Sequence, residues 1–141
     1  MTPRQQQLIQ TSFAQVAPIA DQAAIIFYDR LFELDPSIRS MFAHTDMPAQ
    51  RRNLMQTLTV VVKSIDKLET IVPAVEALGR RHAGYGVRPS HFATVGAALL
   101  DTLAIGLCEG FTPEVRDAWA TAYGILADVM IGAMGQEAAA A

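Results

Sequence analysis

Apolar side chains recur with a period near 3.6 along almost the whole chain, and no stretch alternates with period two for long. That pattern commits the chain to helices and leaves no place for a sheet. Prolines mark the corners. Thr2-Pro3 and Thr112-Pro113 each place a capping residue before a first-turn proline, the usual way to open a helix. Pro18 ends the first stripe of Ile9, Phe13 and Val16, and Asp35-Pro36 stops the next helix and starts a short piece.

Between these corners the stripes predict the elements. A helix over about 19–34 carries Ala20, Ala24, Phe27, Leu31 and Leu34 on one face. Ile38, Met41 and Phe42 follow in a short piece, and 44–47 is a loop. Leu54, Leu58, Val61, Ile65 and Leu68 give a strong stripe on a long helix over about 48–66. Further helices are predicted over about 71–84, 90–108 and 113–134, the last carrying Val115, Trp119, Ala122, Leu126 and Val129, with 135–141 as a flexible tail. The architecture expected is all-α, with about seven helices in one domain over 1–134. Proline-marked corners and unequal helix lengths argue against a simple up-and-down bundle.

Size and composition narrow the function classes. One hundred and forty-one residues make one core, so a second catalytic domain does not fit within them. Apolar residues at 51% against 18% charged exclude disorder. The unbroken apolar runs are far shorter than a membrane span requires, and MTPRQQQLIQ has no signal-peptide core, so no membrane association and a cytoplasmic location are expected. A net charge of −3 argues against nucleic acid as a partner. A single Cys108, expected as a small buried residue, leaves no disulfide and no cysteine metal site. Phosphate-loop, dinucleotide, zinc-protease, serine-hydrolase and haem-thioether motifs are all absent.

What remains is a handful of polar residues on apolar stripes. His82 lies four residues after Leu78 and seven after Val75, on a buried face. It is either a core histidine bonded to a carbonyl or a ligand to a metal or cofactor. Gln50 heads the Leu54–Leu58 stripe and is either solvated at a helix end or turned inward. Tyr28, between Ala24 and Leu31, buries its ring, and its hydroxyl then needs a partner. Phe42, Phe92, Trp119 and Tyr123 are core rings by default. Arg51-Arg52 and Arg80-Arg81 are solvated or pair with anionic groups at a pocket rim. His44 falls in a loop and His91 at a helix start, as surface or capping residues. No nucleophile with a base and no carboxylate pair sits on a buried face, so a self-contained hydrolase is disfavoured. One His, one Gln and one Tyr on three apolar faces suit an apolar cofactor held by one axial ligand, with two hydrogen-bond donors opposite.

At these residues the sequence resembles the globin family, and within it the single-domain bacterial globins related to the haem domain of flavohaemoglobins. The segments IIFYDRLFELDPSIRSMF, AQRRNLM, LGRRHAGYGVRPSHFATVG and AWATAYGILADV carry the resemblance, in that order and across essentially the whole chain. It implies crossed helices around a haem pocket and a non-covalent haem b. It implies His82 as the proximal iron ligand, Phe42 as the ring wedged against haem, and Tyr28 and Gln50 as distal, catalytic donors. Leu54 is implied as a distal apolar contact and Leu78 and Val87 as proximal ones. Phe92, Tyr123 and Arg81 complete the cofactor contacts, with Arg81 beside His82 as the partner of the propionates.

Two departures follow from the same resemblance. Relatives usually place a Tyr ten residues after the proximal His and a Glu eleven after the Tyr of AYG; here those positions hold Phe92 and Met134. The proximal histidine then lacks an anionic push, which favours reversible O₂ binding over O–O cleavage. The implied ligands are O₂, NO and CO. The implied function is tight O₂ binding with nitric oxide dioxygenation to nitrate, which needs an external reductase. The competing classes are a non-catalytic protein that stores, buffers or senses O₂ or sulfide, and a haem-free interaction module on the same fold.

Overall fold

The protein is described by a computed structural model covering the backbone of residues 1–140 and the side chains of residues 1–135. Among the described residues there are seven α-helices and no strand. They are α1 (Pro3–Val16), α2 (Ala20–Leu34), α3 (Pro36–Arg39), α4 (Met47–Lys63), α5 (Val72–Gly84), α6 (Pro89–Leu107) and α7 (Pro113–Ala140). Short 3₁₀ turns join several of them, and Phe42 sits in one, Ser40–Phe42. The tail expected over 135–141 falls mostly on side chains outside the described residues.

The corners form as their residues dictate. Thr2 Oγ1 accepts the Gln5 amide at 3.1 Å while Gln5 Oε1 accepts the Thr2 amide at 3.0 Å, a reciprocal cap on α1. Asp35 caps α3 through the Ser37 amide, Asp46 caps α4 through the Ala49 amide, and Thr112 accepts the Val115 amide at the start of α7. His91 does serve as a capping residue: its Nδ1 accepts the Arg88 amide at 2.9 Å.

The structure corrects two expectations. α4 stops at Lys63 rather than Asp66. The Ser64 amide is shared between the Val60 and Val61 carbonyls, each at 3.1 Å, which tightens the last turn into the 3₁₀ stretch Ile65–Thr70. Ile65 and Leu68 keep their places at the core from that stretch. Cys108 is exposed, not buried. It occupies the left-handed position (φ 51°) just past α6, which turns its side chain away from the core. Stretches on α6 and α7 are long and apolar enough to cross a membrane, although their unbroken apolar runs are short. In the fold they supply core residues, among them Phe92, Leu99, Leu103, Val115 and Trp119.

Two apolar clusters result. The larger joins α1, α2, α4, α6 and the first half of α7. Trp119 fixes its base, with its ring centroid 6.3 Å from that of Phe13 and its indole N–H donated to the buried Ser12 hydroxyl at 2.9 Å. Arg30 of α2 bonds Asp101 of α6 at 2.7 Å across the outer surface of the same cluster. The smaller cluster gathers Phe92, Ala127 and Met134 with Val87, Tyr123 and Met130, and it holds α5 against α7. Glycines permit these approaches. A Cβ on Gly79 would lie 2.6 Å from the Met130 carbonyl oxygen, and one on Gly96 would lie 2.8 Å from the Tyr123 ring. By contrast, α4 and α5 make no substantial contact among the described residues. The fold thus leaves a cleft between them.

Gly79→Ala should destabilise the protein by about 1–3 kcal/mol, as overpacking of a close backbone contact does. Chemical denaturation checks this. Gly84→Ala is the control on the same helix, since a Cβ there meets nothing within 4 Å. Equal stability of the two variants would mean that α5 and α7 do not meet at Gly79.

Candidate functional site

The cleft has a volume of about 240 Å³ and is walled by Gln56, Thr57 and Val60 of α4 and by Ala74, Leu78 and Arg81 of α5, among others. Of the candidate site residues singled out in the sequence, Leu78 and Arg81 line this cleft. His82 lies one turn beyond Leu78 on the same helix face, and Gln50 two turns before Thr57 on the other helix, each outside the lining itself. The walls are apolar yet incompletely covered. Leu78 is half-buried and Val60 is 53% exposed.

On the α5 side, His82 Nδ1 lies 2.7 Å from the Leu78 carbonyl oxygen. A carbonyl only accepts, so Nδ1 carries the proton and Nε2 holds the lone pair. Among the described residues Nε2 has no hydrogen-bond partner. The bond also sets the plane of the ring. The Phe92 ring lies behind it at 6.4 Å and that of Tyr85 beside it at 5.9 Å. Met134 is buried in the same cluster as Phe92. No carboxylate or hydroxyl side chain bonds the imidazole among the described residues.

On the α4 side, Gln50 Nε2 donates to the Tyr28 hydroxyl oxygen at 3.1 Å. This joins α4 to the third turn of α2, where Tyr28 is buried at 5% exposure. The Tyr28 ring meets Phe27 and Phe42 edge-on, with centroids 5.0 and 5.6 Å away, and Phe32 closes the group against Phe42 at 5.5 Å. Burial pushes the Tyr28 phenol above its ordinary value of 10.0, opposed by the Gln50 bond and the Arg51 charge. Since Gln50 donates to the hydroxyl oxygen, the Tyr28 proton is free for another acceptor. Leu54 faces inward from α4, lining a small apolar void with Phe27, Leu58 and Leu103.

The structure therefore brings Tyr28, Gln50 and Phe42 together in one group, and His82, Leu78, Val87 and Phe92 in another. Tyr123 differs from both. Its hydroxyl donates to the Phe92 carbonyl at 2.6 Å, and burial holds its phenol far above the ordinary range. It braces α7 against α6 behind the histidine. Arg81 is exposed at the cleft wall, where a side chain can reach an anionic group on a ligand. Gln56, Thr57 and Val60 escaped the sequence reading. Val60 was signalled only as an apolar residue off the main stripe of its helix.

Three observations fit this cleft to a planar apolar cofactor such as haem. The walls are apolar and incompletely covered, one imidazole nitrogen is unpartnered and held in its ligating tautomer, and a guanidinium stands at the edge. The remaining polar pair, phenol and amide, provides donors and no further strong metal ligand. No cluster of three or more His, Cys, Asp or Glu residues suited to a bare metal ion occurs among the described residues.

Comparison with known proteins agrees with this geometry. A family model described as Globin matches residues 25–130. The chain is 35% identical over 108 residues to a flavohemoprotein of Bacillus subtilis, covering 75% of this chain and 27% of that protein. It is 34% identical over 122 residues to a flavohemoprotein of Rhodopirellula baltica, covering 85% and 30%. It therefore spans less than a third of the length of these relatives. Among solved structures, an engineered carbene transferase from Rhodothermus marinus, provisionally assigned as a nitric oxide dioxygenase, superposes with a TM-score of 0.89 at 25% identity, covering 99% of this chain and 97% of that one. A bacterial globin from Campylobacter jejuni superposes with a TM-score of 0.84 at 25% identity, covering 96% and 97%. The chain belongs to the globin family.

Proposed function

We propose that this globin domain (residues 1–134) binds non-covalent haem b in the α4–α5 cleft through His82 Nε2. In the same reading it holds O₂ tightly against Tyr28 and Gln50 and, given electrons, turns NO and O₂ into nitrate. The observation that carries this reading is the His82 imidazole, with Nδ1 tied to the Leu78 carbonyl and Nε2 unpartnered beside an incompletely covered apolar cleft. The names of the relatives, flavohemoproteins and a provisional nitric oxide dioxygenase, support it. Haem, when bound, supplies the iron at which diatomic gases bind and the redox change that NO conversion requires.

The chain's own residues do the rest. The Leu78 carbonyl accepts the Nδ1 proton of His82 and so turns Nε2 away from the helix. Phe92 and Met134 give the imidazole an apolar backing, so nothing anionic draws on its proton. This favours reversible gas binding. Phe42 packs on the Tyr28 ring and helps exclude water from the hydroxyl. Burial keeps the Tyr28 proton on Oη, and the Gln50 amide, bonded to that oxygen, orients it. Leu54 and Val87 add apolar contacts on the two sides, and Arg81 holds an anionic edge group. In a low-dielectric pocket a donor to a partly charged acceptor is worth about 1.5–3 kcal/mol, or roughly a 10- to 150-fold slowing of release.

A second reading, non-catalytic storage, buffering or sensing of O₂, is favoured by the apolar backing of His82. NO consumption under O₂ with a supplied reductase separates the two: nitrate formed over many turnovers supports the dioxygenase, and a single turnover supports storage.

Absorption spectra of the ferric, ferrous and oxygenated forms test the cofactor. His82→Ala should lose haem or greatly weaken its retention, and a spectrally normal variant would place the ligand elsewhere. Tyr28→Phe should speed O₂ release by roughly 10- to 150-fold, and unchanged kinetics would remove the donor role. A pH profile tests the same proton. The phenol's raised pKa means that the donor persists through the neutral range and is lost only as pH climbs above 10, where O₂ release should accelerate. The stability gained by burying the neutral phenol is likewise present below pH 10 and lost above it.

A further inference from the structure

The segments 47–65 and 77–100 contain Arg51, Arg52, Lys63, Arg80, Arg81 and Arg88 and not one acidic residue, while Asp66, Glu69 and Glu76 lie between them. The rest of the chain holds five basic residues against all fourteen acidic ones. A net charge of −3 thus conceals two basic segments in an acidic chain. Of these six, Arg81 lines the cleft between α4 and α5. The ion pairs among the described residues involve only Arg4 and Arg30 on the basic side, so none neutralises the six. Their densest part is the end of α5 and the corner after it, where Arg80, Arg81 and Arg88 are all exposed. Amid them the Tyr85 ring is 66% exposed and lies 5.9 Å from the His82 ring. Arg and Tyr are the residue types that dominate binding hot spots.

We propose that Arg80, Tyr85 and Arg88, exposed outside the cleft lining, form a docking face for a small acidic protein that carries single electrons. The proposal rests on the haem reading of the cleft, because the electron's destination is the cofactor beside His82. One electron leaves the reduced carrier and takes the ferric cofactor to ferrous, with no bond made or broken. Charge complementarity steers the encounter, and such steering raises association rates by roughly 10- to 1000-fold at low salt. Tyr85 gives the face an apolar centre, and the ligating ring stands directly behind it, so a docked carrier lies close to where its electron is needed. An anionic membrane would also meet the arginines, but it delivers no electron and has no use for an aromatic ring placed against the histidine.

The test uses the haem-loaded full chain and flavodoxin, an acidic flavin carrier, as the probe. Oxidised flavodoxin added to the isotope-labelled chain should shift nuclear resonances clustered at residues 80–88. Reduced flavodoxin should reduce the ferric protein at a rate that falls steeply with ionic strength. Arg80→Glu with Arg88→Glu should slow that reduction roughly tenfold or more, and Tyr85→Ala should weaken flavodoxin binding. Reduction by dithionite and the oxygenated spectrum should stay unchanged in both variants. Reduction of the charge-reversed variant by flavodoxin at the wild-type rate overturns the proposal. So do resonance shifts on another face, or capture of the chain by phosphatidylserine vesicles through these arginines with no response to flavodoxin. Failure to take up haem would defeat the cofactor reading, while the resonance shifts would still report on docking.

Discussion

The close contact between Gly79 and the backbone of Met130 decides the shape of everything around it. With no Cβ at Gly79, α5 lies directly on α7. A larger residue would lift α5 off that seat. Because α5 leans on α7, it does not close onto α4, and the apolar face carrying Leu78 and His82 stays open. The same seating places Phe92 and Met134 behind the imidazole. The absence of a side chain at Gly79 thus sets how closely α5 and α7 approach.

The two sides of the cleft are built on opposite principles. The His82 side is braced through backbone. The Leu78 carbonyl takes the Nδ1 proton and the Phe92 carbonyl takes the Tyr123 hydroxyl, so neither ring depends on a charged partner. The Tyr28 side is braced by side chains: an amide on the phenol oxygen and a ring group of Phe27, Phe32 and Phe42. Carbonyl bracing fixes an orientation and adds no net charge. Side-chain bracing leaves a proton free at a defined atom. A ligand atom on one side and a donor on the other need those two properties in that order.

Helices were legible in the sequence because apolar spacing and capping are local. Thr2, Asp35 and Thr112 act within three residues of themselves, and each does what its identity implies. His82, Tyr28 and Gln50 stood out because a polar residue on an apolar stripe must find a partner. Which partner each finds is a long-range property. The Tyr28–Gln50 bond spans 22 positions and joins two helices. The end of α4 was misjudged because the apolar stripe continues through Ile65 and Leu68 while the backbone does not remain α-helical. Cys108 was misplaced because its surroundings depend on where α6 turns, a matter of backbone and not of side-chain polarity. The arginine pairs 51–52 and 80–81 were visible as candidates for anionic partners, but that Arg81 alone of them lines the cleft is a property of the fold.

An uncovered apolar cleft has a thermodynamic consequence. Fully burying a Val or Leu side chain stabilises by about 1.5–3 kcal/mol. Val60 is mostly exposed, and Leu54, Leu58, Leu78 and Val87 are each part-way along that scale. A flat apolar cofactor covering them would add burial that the chain alone does not achieve and, in the proposed reading, a bond to His82 as well. A ligand that binds only the folded state stabilises it in proportion to the logarithm of its concentration over its Kd. The stability of this fold is therefore tied to occupancy of its cleft. Gly79 serves both ends at once: it lets α5 seat on α7 without a clash, and that seating leaves the α4 side of α5 uncovered.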